Sequence, residues 1–297
     1  MADYGGGEKL NKPTDTNNLR DNLLGHLQEI IRERHPYLAS GGHFYVQTYI
    51  RQQLSLWGEV ITHEFSHSGQ LHKNLILNLP ATTVENNCRP VIIIGAHYDG
   101  VPNSPAADDN GTGVAALLEL ARIFAAQPLA YPVQLVAFDL EEYGFLGSIA
   151  YVESLKQQGQ QVRMMLSLEM LGYCDRTPNS QTYTAGLERF YPNTGDFIAL
   201  IGNLMLLPDL IKMGGAIRES GTPCEWLPVP NRGLPIPTTR LSDHVPFWDA
   251  GYPALMGTDT AFMRNPHYHR ESDRLDTLDL DFLTGVCQGL AIALRTL

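Results

Sequence analysis

The chain has 297 residues, 43% hydrophobic and 18% charged. That is enough to bury a large core, and it lies near the upper limit of roughly 250–300 residues for one domain. Its formal net charge of −11 argues against nucleic acid or an anionic membrane as partner, since phosphate recognition needs a Lys/Arg surface, and suits a metal cation or an amine-bearing substrate. No stretch approaches the ~20 consecutive apolar residues of a membrane span, and Met1 to Thr16 lacks the basic start and apolar core of a signal peptide, so a cytoplasmic location is expected.

Met1 to Thr16 is polar and Gly-rich and reads as a disordered leader before one domain over residues 17–297. Leu19, Leu23, Leu24, Leu27, Ile30 and Ile31 recur at helical spacing within Asn17 to Glu33, and His43 to Trp57 reads as a second helix. Glu59 to Phe65 and Asn74 to Leu79 alternate like strands, with Pro80 to Pro90 a loop. The unbroken apolar run Val91 to Ala96 predicts a central strand buried on both faces. A helix over Gly113 to Ala126, a strand over Val133 to Leu140, a helix over Leu146 to Gln157 and a strand over Met164 to Met170 follow. Such alternation predicts an α/β three-layer sandwich: a mixed, mostly parallel central sheet flanked by helices. Gly172 to Pro237, rich in Pro, Gly, Asn and Tyr, is expected to form long loops walling a cleft, with one helical piece near Asp196 to Leu206. Val245 to Ala250 reads as helix, Pro253 to Gly257 as strand and Phe282 to Leu294 as a closing helix.

Three apolar strands end in acid or imidazole groups. Val91 to Ala96 opens into His97 and Asp99 and then Asp108-Asp109-Asn110-Gly111, Val133 to Leu140 into Glu141-Glu142, and Met164 to Leu168 into Glu169. Ligand crevices of open α/β sheets lie at those strand ends. With His269 in Asn265-Pro-His-Tyr-His269-Arg-Glu-Ser-Asp273, the chain offers His97, Asp108, Glu142, Glu169 and His269, about as many ligands as two metal ions need. Imidazole with carboxylate suits zinc, whereas oxygen ligands alone would suit magnesium or calcium. Adjacent acids in a strand point to opposite faces, so Glu141 and Glu142 can divide metal binding from proton transfer. Asp99, two residues from His97 on the same side of the strand, is placed to accept the other ring N–H of that histidine and set its tautomer.

The ordered set His97-x-Asp99, Asp108-Asp109-Asn110-x-x-Gly113, Glu141-Glu142, Glu169 and His269 resembles the dinuclear zinc aminopeptidases that include the bacterial leucyl-type enzymes, with glutamate carboxypeptidase II and the glutaminyl cyclases as more distant relatives. The resemblance runs from Val91 to the C-terminus. It implies the zinc exopeptidase fold, with Asp108 bridging two zinc ions, His97 and Glu169 completing one shell, and Glu142 and His269 the other. It further implies Glu141 as the general acid/base in hydrolysis of the N-terminal bond of peptides that carry a free amino group. Relatives commonly place Asp where Glu169 stands, and His267 competes with His269; the Arg-Glu-Ser-Asp turn that follows His269 favours the latter.

Other readings compete. His63-Glu64-Phe-Ser-His67 matches the zincin pattern literally, but it falls in a strand-like alternation, and the pattern requires a helix. Ser242-Asp243-His244 could belong to a hydrolase triad, yet no Gly-x-Ser-x-Gly elbow occurs, and Asp243 and His244 read as a helix start or as support for the ligands. Tyr183, Tyr191, Trp226 and Trp248 are candidates to line a pocket or to pack the core. Cys88, Cys174, Cys224 and Cys287 are scattered and read as free thiols, a Cys174–Cys224 bridge being the one pairing left open. A glutaminyl cyclase-like acyltransferase and a non-catalytic, peptidase-like binding domain are the alternatives to a peptidase. The former relative uses a single zinc and typically lacks a ligand of the His97 type.

Overall fold

A computed structural model describes residues 16–184 and 186–297, so the leader read over Met1 to Thr16 lies, but for Thr16, outside the described residues. Helix α1 (Thr16–Ile30) forms because Leu19, Leu23, Leu27 and Ile30 fall on one face, and all four are buried. Each contributes about 2 kcal/mol of hydrophobic stabilisation. Helix α2 (Ser40–Ser55) follows, burying Val46, Ile50 and Leu54. Strands β1 (Val60–His67) and β2 (Gln70–Leu79) form an antiparallel hairpin that extends further toward its turn than the sequence predicts. Ser68 and Gly69 both take positive φ and close it.

The centre of the molecule is β3 (Val91–His97), every residue of which is buried. Around it lie α3 (Gly113–Ala126), β4 (Val133–Phe138), α4 (Leu146–Gln157) and β5 (Val162–Glu169). The chain continues through β6 (Ile198–Asn203), α5 (Leu207–Glu219), β7 (Cys224–Val229), α6 (His244–Asp249), β8 (Ala254–Thr258) and α7 (Leu280–Arg295). One eight-stranded sheet results, in the order β1-β2-β4-β3-β5-β8-β6-β7. The pairs β4-β3, β3-β5, β5-β8 and β6-β7 are parallel and the other three antiparallel, so the sheet is mixed and mostly parallel as expected. Helices α1, α2, α3, α5 and α7 cover one face with the larger hydrophobic core, while α4 and α6 cover the other.

The stretch from Gly172 to Pro237 is more ordered than a set of loops. Asp196 to Leu206 is expected to contain helix and instead holds β6, six residues that open on the apolar run Ile198 to Ile201 and pair antiparallel with β8. Helix α5 and strand β7 then add one further unit to the sheet. Pro208 and the Gly214-Gly215 pair hide that helix from a reading by propensity. Yet Pro208 sits in the first turn, where its missing N–H costs nothing, and Leu210, Met213 and Ile217 mark the buried face. All four cysteines are free, so no Cys174–Cys224 bridge forms. Among the described residues no helix is long and apolar enough to cross a membrane.

Candidate metal centre

The ends of β3, β4 and β5 and two long loops deliver six titratable side chains to one crevice. His97, the last residue of β3, brings Nε2 to 3.3 Å from Asp109 Oδ1, 3.6 Å from Glu169 Oε2 and 4.0 Å from Glu141 Oε2. On the far side of Asp109, His269 Nε2 lies 2.9 Å from Asp109 Oδ2 and 3.3 Å from Glu142 Oε2. Asp109 therefore offers one oxygen to each imidazole. Ligand atoms of His97, Glu141 and Glu169 lie within 4.8 Å of one another, as do those of His97, Asp109 and Glu142.

This geometry corrects one residue. The sequence reading gave the central place to Asp108, but the structure puts Asp109 there. Asp108 is fully buried with its carboxylate already engaged: Oδ1 accepts from the Thr112 hydroxyl and the Gly172 N–H at 3.0 and 2.9 Å, and Oδ2 accepts from Asn265 Nδ2 at 2.8 Å. It ties the start of α3 to two distant loops. The backbone of both aspartates is held by Asp273, whose carboxylate accepts the N–H groups of Asp108 and Asp109 at 2.9 and 3.1 Å. Asn110 continues the clamp, donating to the Leu168 carbonyl and accepting from the N–H groups of Gly113 and Met170. The remaining named residues, His97, Glu141, Glu142, Glu169 and His269, do converge.

Asp99 stands beside His97 as the sequence reading places it, paired with its ring though without hydrogen-bond geometry. Its Oδ1 is 3.4 Å from His97 Nδ1, but that nitrogen makes no hydrogen bond. The carboxylate instead accepts the N–H groups of Glu141 and Glu142 at 3.1 and 3.2 Å, fixing the backbone that carries both acids. Arg34, which sequence reasoning missed, is fully buried and donates to the carbonyls of Tyr98, Pro105 and Ala106 at 2.9, 3.0 and 2.8 Å. It fastens the loop between His97 and Asp109 to the end of α1. Its signal in the sequence was only one of two arginines, Arg32 and Arg34, at the end of an amphipathic helix. Ser242 donates to Glu169 Oε2 at 2.7 Å and His244 Nε2 donates to the Thr239 carbonyl at 2.8 Å, so no Ser-Asp-His triad exists. Asp243 precedes α6 as its cap residue.

Burial raises the carboxyl groups of Glu141 and Glu169 above their ordinary range and pushes that of Glu142 up to about 7. Burial works against a charged His97, yet Glu141, Glu169 and Asp109 outweigh it and hold the imidazole well above its ordinary value. His269, with burial again opposing, is lifted to about 10 by Asp109 and Glu142. Four carboxylates thus compete for the positive charge of two imidazoles. Glu142 Oε1 is buried without a partner, a costly state for an acid unless a cation is near. Imidazole and carboxylate donors mixed around one central carboxylate are a donor set that suits zinc.

The zincin match does not contribute. His63 and His67 both lie on β1, where four residues span about 13 Å, far beyond what two ligands of one zinc at ~2.1 Å allow. His267 is likewise outside the cluster, its Nδ1 2.9 Å from the Ser272 hydroxyl. Of the aromatic candidates, Trp248 is buried in the core and donates to the Ala254 carbonyl, while Tyr183, Tyr191 and Trp226 line a cavity.

The sequence profile of Peptidase family M28 matches residues 74–205, and the resemblance read from the sequence is thereby borne out. The chain is 39% identical over 217 residues to the uncharacterized protein YfbL of Escherichia coli K12, covering 68% of this chain and 65% of that protein. It is 28% identical over 197 residues to aminopeptidase YwaD of Bacillus subtilis, covering 65% of this chain and 38% of that one. The chain thus spans less than two thirds of either relative's length. Among solved structures, the LapA aminopeptidase of Legionella pneumophila superposes with a TM-score of 0.70 at 17% identity over 98% of this chain and 76% of that one. An Acidobacteriales glutaminyl cyclase gives 0.71 at 18% identity over 99% and 98%. At these identities the likeness shows the shared fold.

Proposed function

We propose that this chain, whose residues 74–205 match Peptidase family M28, is a zinc-dependent aminopeptidase that cleaves the N-terminal bond of peptides. The observation that carries the reading is Asp109 lying between His97 and His269 with one oxygen toward each. In this reading two zinc ions would be held by Asp109 together with His97 and Glu169 on one side and Glu142 and His269 on the other. The ions, when bound, supply Lewis acidity at the scissile carbonyl. Glu141, in the same crevice and raised by burial, takes the proton of the attacking water and returns it to the departing amine. The acidic crevice orients the free α-amino group of the substrate, and Asp99 and Asp273 hold the loops that carry the acids. A glutaminyl cyclase shares the fold, but the presence of His97 against Asp109, Glu141 and Glu169 supports two ions and hydrolysis.

The test is metal analysis of the purified protein together with turnover of free and N-acetylated peptides. The reading predicts zinc in the protein and cleavage of the free peptide alone, with Glu141→Gln retaining zinc and losing at least about 10²-fold in kcat. Equal cleavage of free and acetylated peptides would exclude an aminopeptidase.

A further inference from the structure

Strand β4 ends at Phe138, and the turn that follows, Asp139 to Gly147, carries Glu141 and Glu142. Within it Leu140 and Phe145 take φ of 55° and 64°, left-handed values that a residue with a side chain keeps only where its surroundings hold it. Asp139 is what holds Leu140. Its fully buried carboxylate accepts the Leu140 N–H at 3.0 Å and the His43 Nε2–H at 2.7 Å on Oδ1, and the His72 Nδ1–H at 3.2 Å on Oδ2. His43 comes from α2 and His72 from β2, and the Tyr37 hydroxyl donates to Nε2 of His72 at 3.2 Å. Asn74, also on β2, ties the two ends of the turn, accepting the Asp139 N–H at 3.0 Å and donating to the Gly147 carbonyl at 2.8 Å.

His43 and Asp139 make an ion pair whose side chains are 12% and 0% exposed, outside the set of side chains that converges on Asp109. Burial disfavours charge on both. The hydrogen bond and charge of Asp139 outweigh it at His43, whose pKa is raised, and the two imidazoles outweigh it at Asp139, held down to about 2. The other groups facing His43 are Tyr98, whose ring centroid lies 5.1 Å away, and, at longer range, Asp99 and Arg34, of opposite sign. One atom, Asp139 Oδ1, serves both His43 and Leu140. A buried carboxylate that loses its cation is left uncompensated and shifts toward the donors that remain, and His72 then pulls on it through the other oxygen. Asp99 holds the N–H groups of Glu141 and Glu142, whereas the residue before them hangs on Asp139.

We propose that His43 is a positioning residue for Glu141: through Asp139 it holds Leu140 in its left-handed conformation and so aims the carboxyl group of the residue that follows. The inference rests on Glu141 as the general acid/base of the proposed aminopeptidase. It makes α2 and β2, which supply no metal ligand in that reading, part of what sets the rate. Loss of such a residue appears in kcat at unchanged KM and zinc content, because neither the substrate nor the ions touch it.

The test is a double-mutant cycle of His43→Gln, Asp139→Asn and the combined variant in the zinc-loaded protein, with zinc content, kcat and KM read on leucyl 4-nitroanilide. His43→Gln is expected to keep the wild-type zinc content and a KM within about twofold, while kcat falls about tenfold or more. The combined variant leaves no buried charge unpaired and is expected to regain kcat relative to His43→Gln, a coupling that two independent structural losses would not give. Wild-type kcat in His43→Gln, or losses that multiply in the combined variant, overturns the inference, while turnover by the wild type keeps the aminopeptidase reading in place. Asp139→Ala removes the shared oxygen without stranding an acid, so it should lose kcat at full zinc content even if His43→Gln does not fold, and unchanged kcat there contradicts the inference as well. Crystals of the zinc-loaded wild type and variants give a readout that needs no turnover: a displaced backbone at Leu140 and Glu141 supports the assignment, and a superposable one overturns it.

Discussion

Two adjacent aspartates illustrate how much a single position decides. Asp108 and Asp109 are chemically identical and both buried, but one fastens three chain segments and the other faces two imidazoles. The sequence could not separate them, because strand alternation does not apply where the backbone leaves regular geometry. Asp109 (φ −101°, ψ 91°) and Asn110 (φ −125°, ψ 45°) both leave helical geometry there. The two roles predict different losses. Asp109→Asn should lower bound zinc to below one ion per chain, measured by atomic emission after dialysis. Asp108→Asn should keep zinc and destabilise the fold, because an amide cannot accept from Thr112, Gly172 and Asn265 together. Losing the Asn265 bond and leaving a buried donor unsatisfied costs about 1–3 kcal/mol. Zinc retained by Asp109→Asn and lost from Asp108→Asn would reverse the assignment. The same scale explains Arg34: its partners are backbone carbonyls of a loop, and no residue pattern announces such a contact.

At the scale of elements, the parts read correctly from sequence are those where one period dominates. The amphipathic α1, the mostly apolar β3 and β4 and the helix α3 all lie close to their predicted bounds, because burial on one face or both leaves a plain pattern. The β6-α5-β7 unit was obscured by Pro208, Gly214 and Pro228, each of which has a local reason. Gly214 packs against Trp226, where an added Cβ would stand 3.0 Å from the indole. Gly113 shows a similar constraint beside the site. A Cβ there would collide with the Asn110 side chain and come within 2.7 Å of the Leu168 carbonyl oxygen, two groups that hydrogen-bond each other beside Asp109 in the chain. Gly113→Ala is therefore predicted to destabilise by about 1–3 kcal/mol through overpacking. Its kcat/KM should fall by more than the stability loss explains, since Asn110 must shift. Unchanged melting temperature and activity would show that the start of α3 has room to move.

The whole molecule is a sheet whose strand ends gather negative charge, so its response to pH is global. One contribution can be isolated away from the metal centre. His244 is fully buried, rests edge-on against Trp248 at 4.3 Å and donates to the Thr239 carbonyl. Burial, reinforced by Arg240 and opposed by the Thr239 hydrogen bond, pushes its pKa down to about 4. A folded value below the ordinary 6.5 means the native state prefers the neutral ring. Its stabilisation is complete above pH 6.5 and is lost as pH falls through 6.5 toward 4, amounting to about 3 kcal/mol. Metal-stripped wild-type protein should lose stability over that range more steeply than His244→Gln in chelator, measured by urea midpoints. Parallel curves would show that the ring titrates normally.

The site as a whole was legible because its residue types are rare in the positions they occupy, at the ends of apolar strands. What lay beyond the sequence was the packing of α2 and β2 against the end of β4, which alone brings His43 and His72 to Asp139. The central claim is that one aspartate joins two ions, and anomalous scattering at the zinc edge from crystals of the zinc-loaded protein tests it most directly. The account predicts two peaks flanking the Asp109 carboxylate, one on the side of His97 and Glu169 and one on the side of His269 and Glu142. A single peak, or peaks at the Asp108 carboxylate, would contradict it.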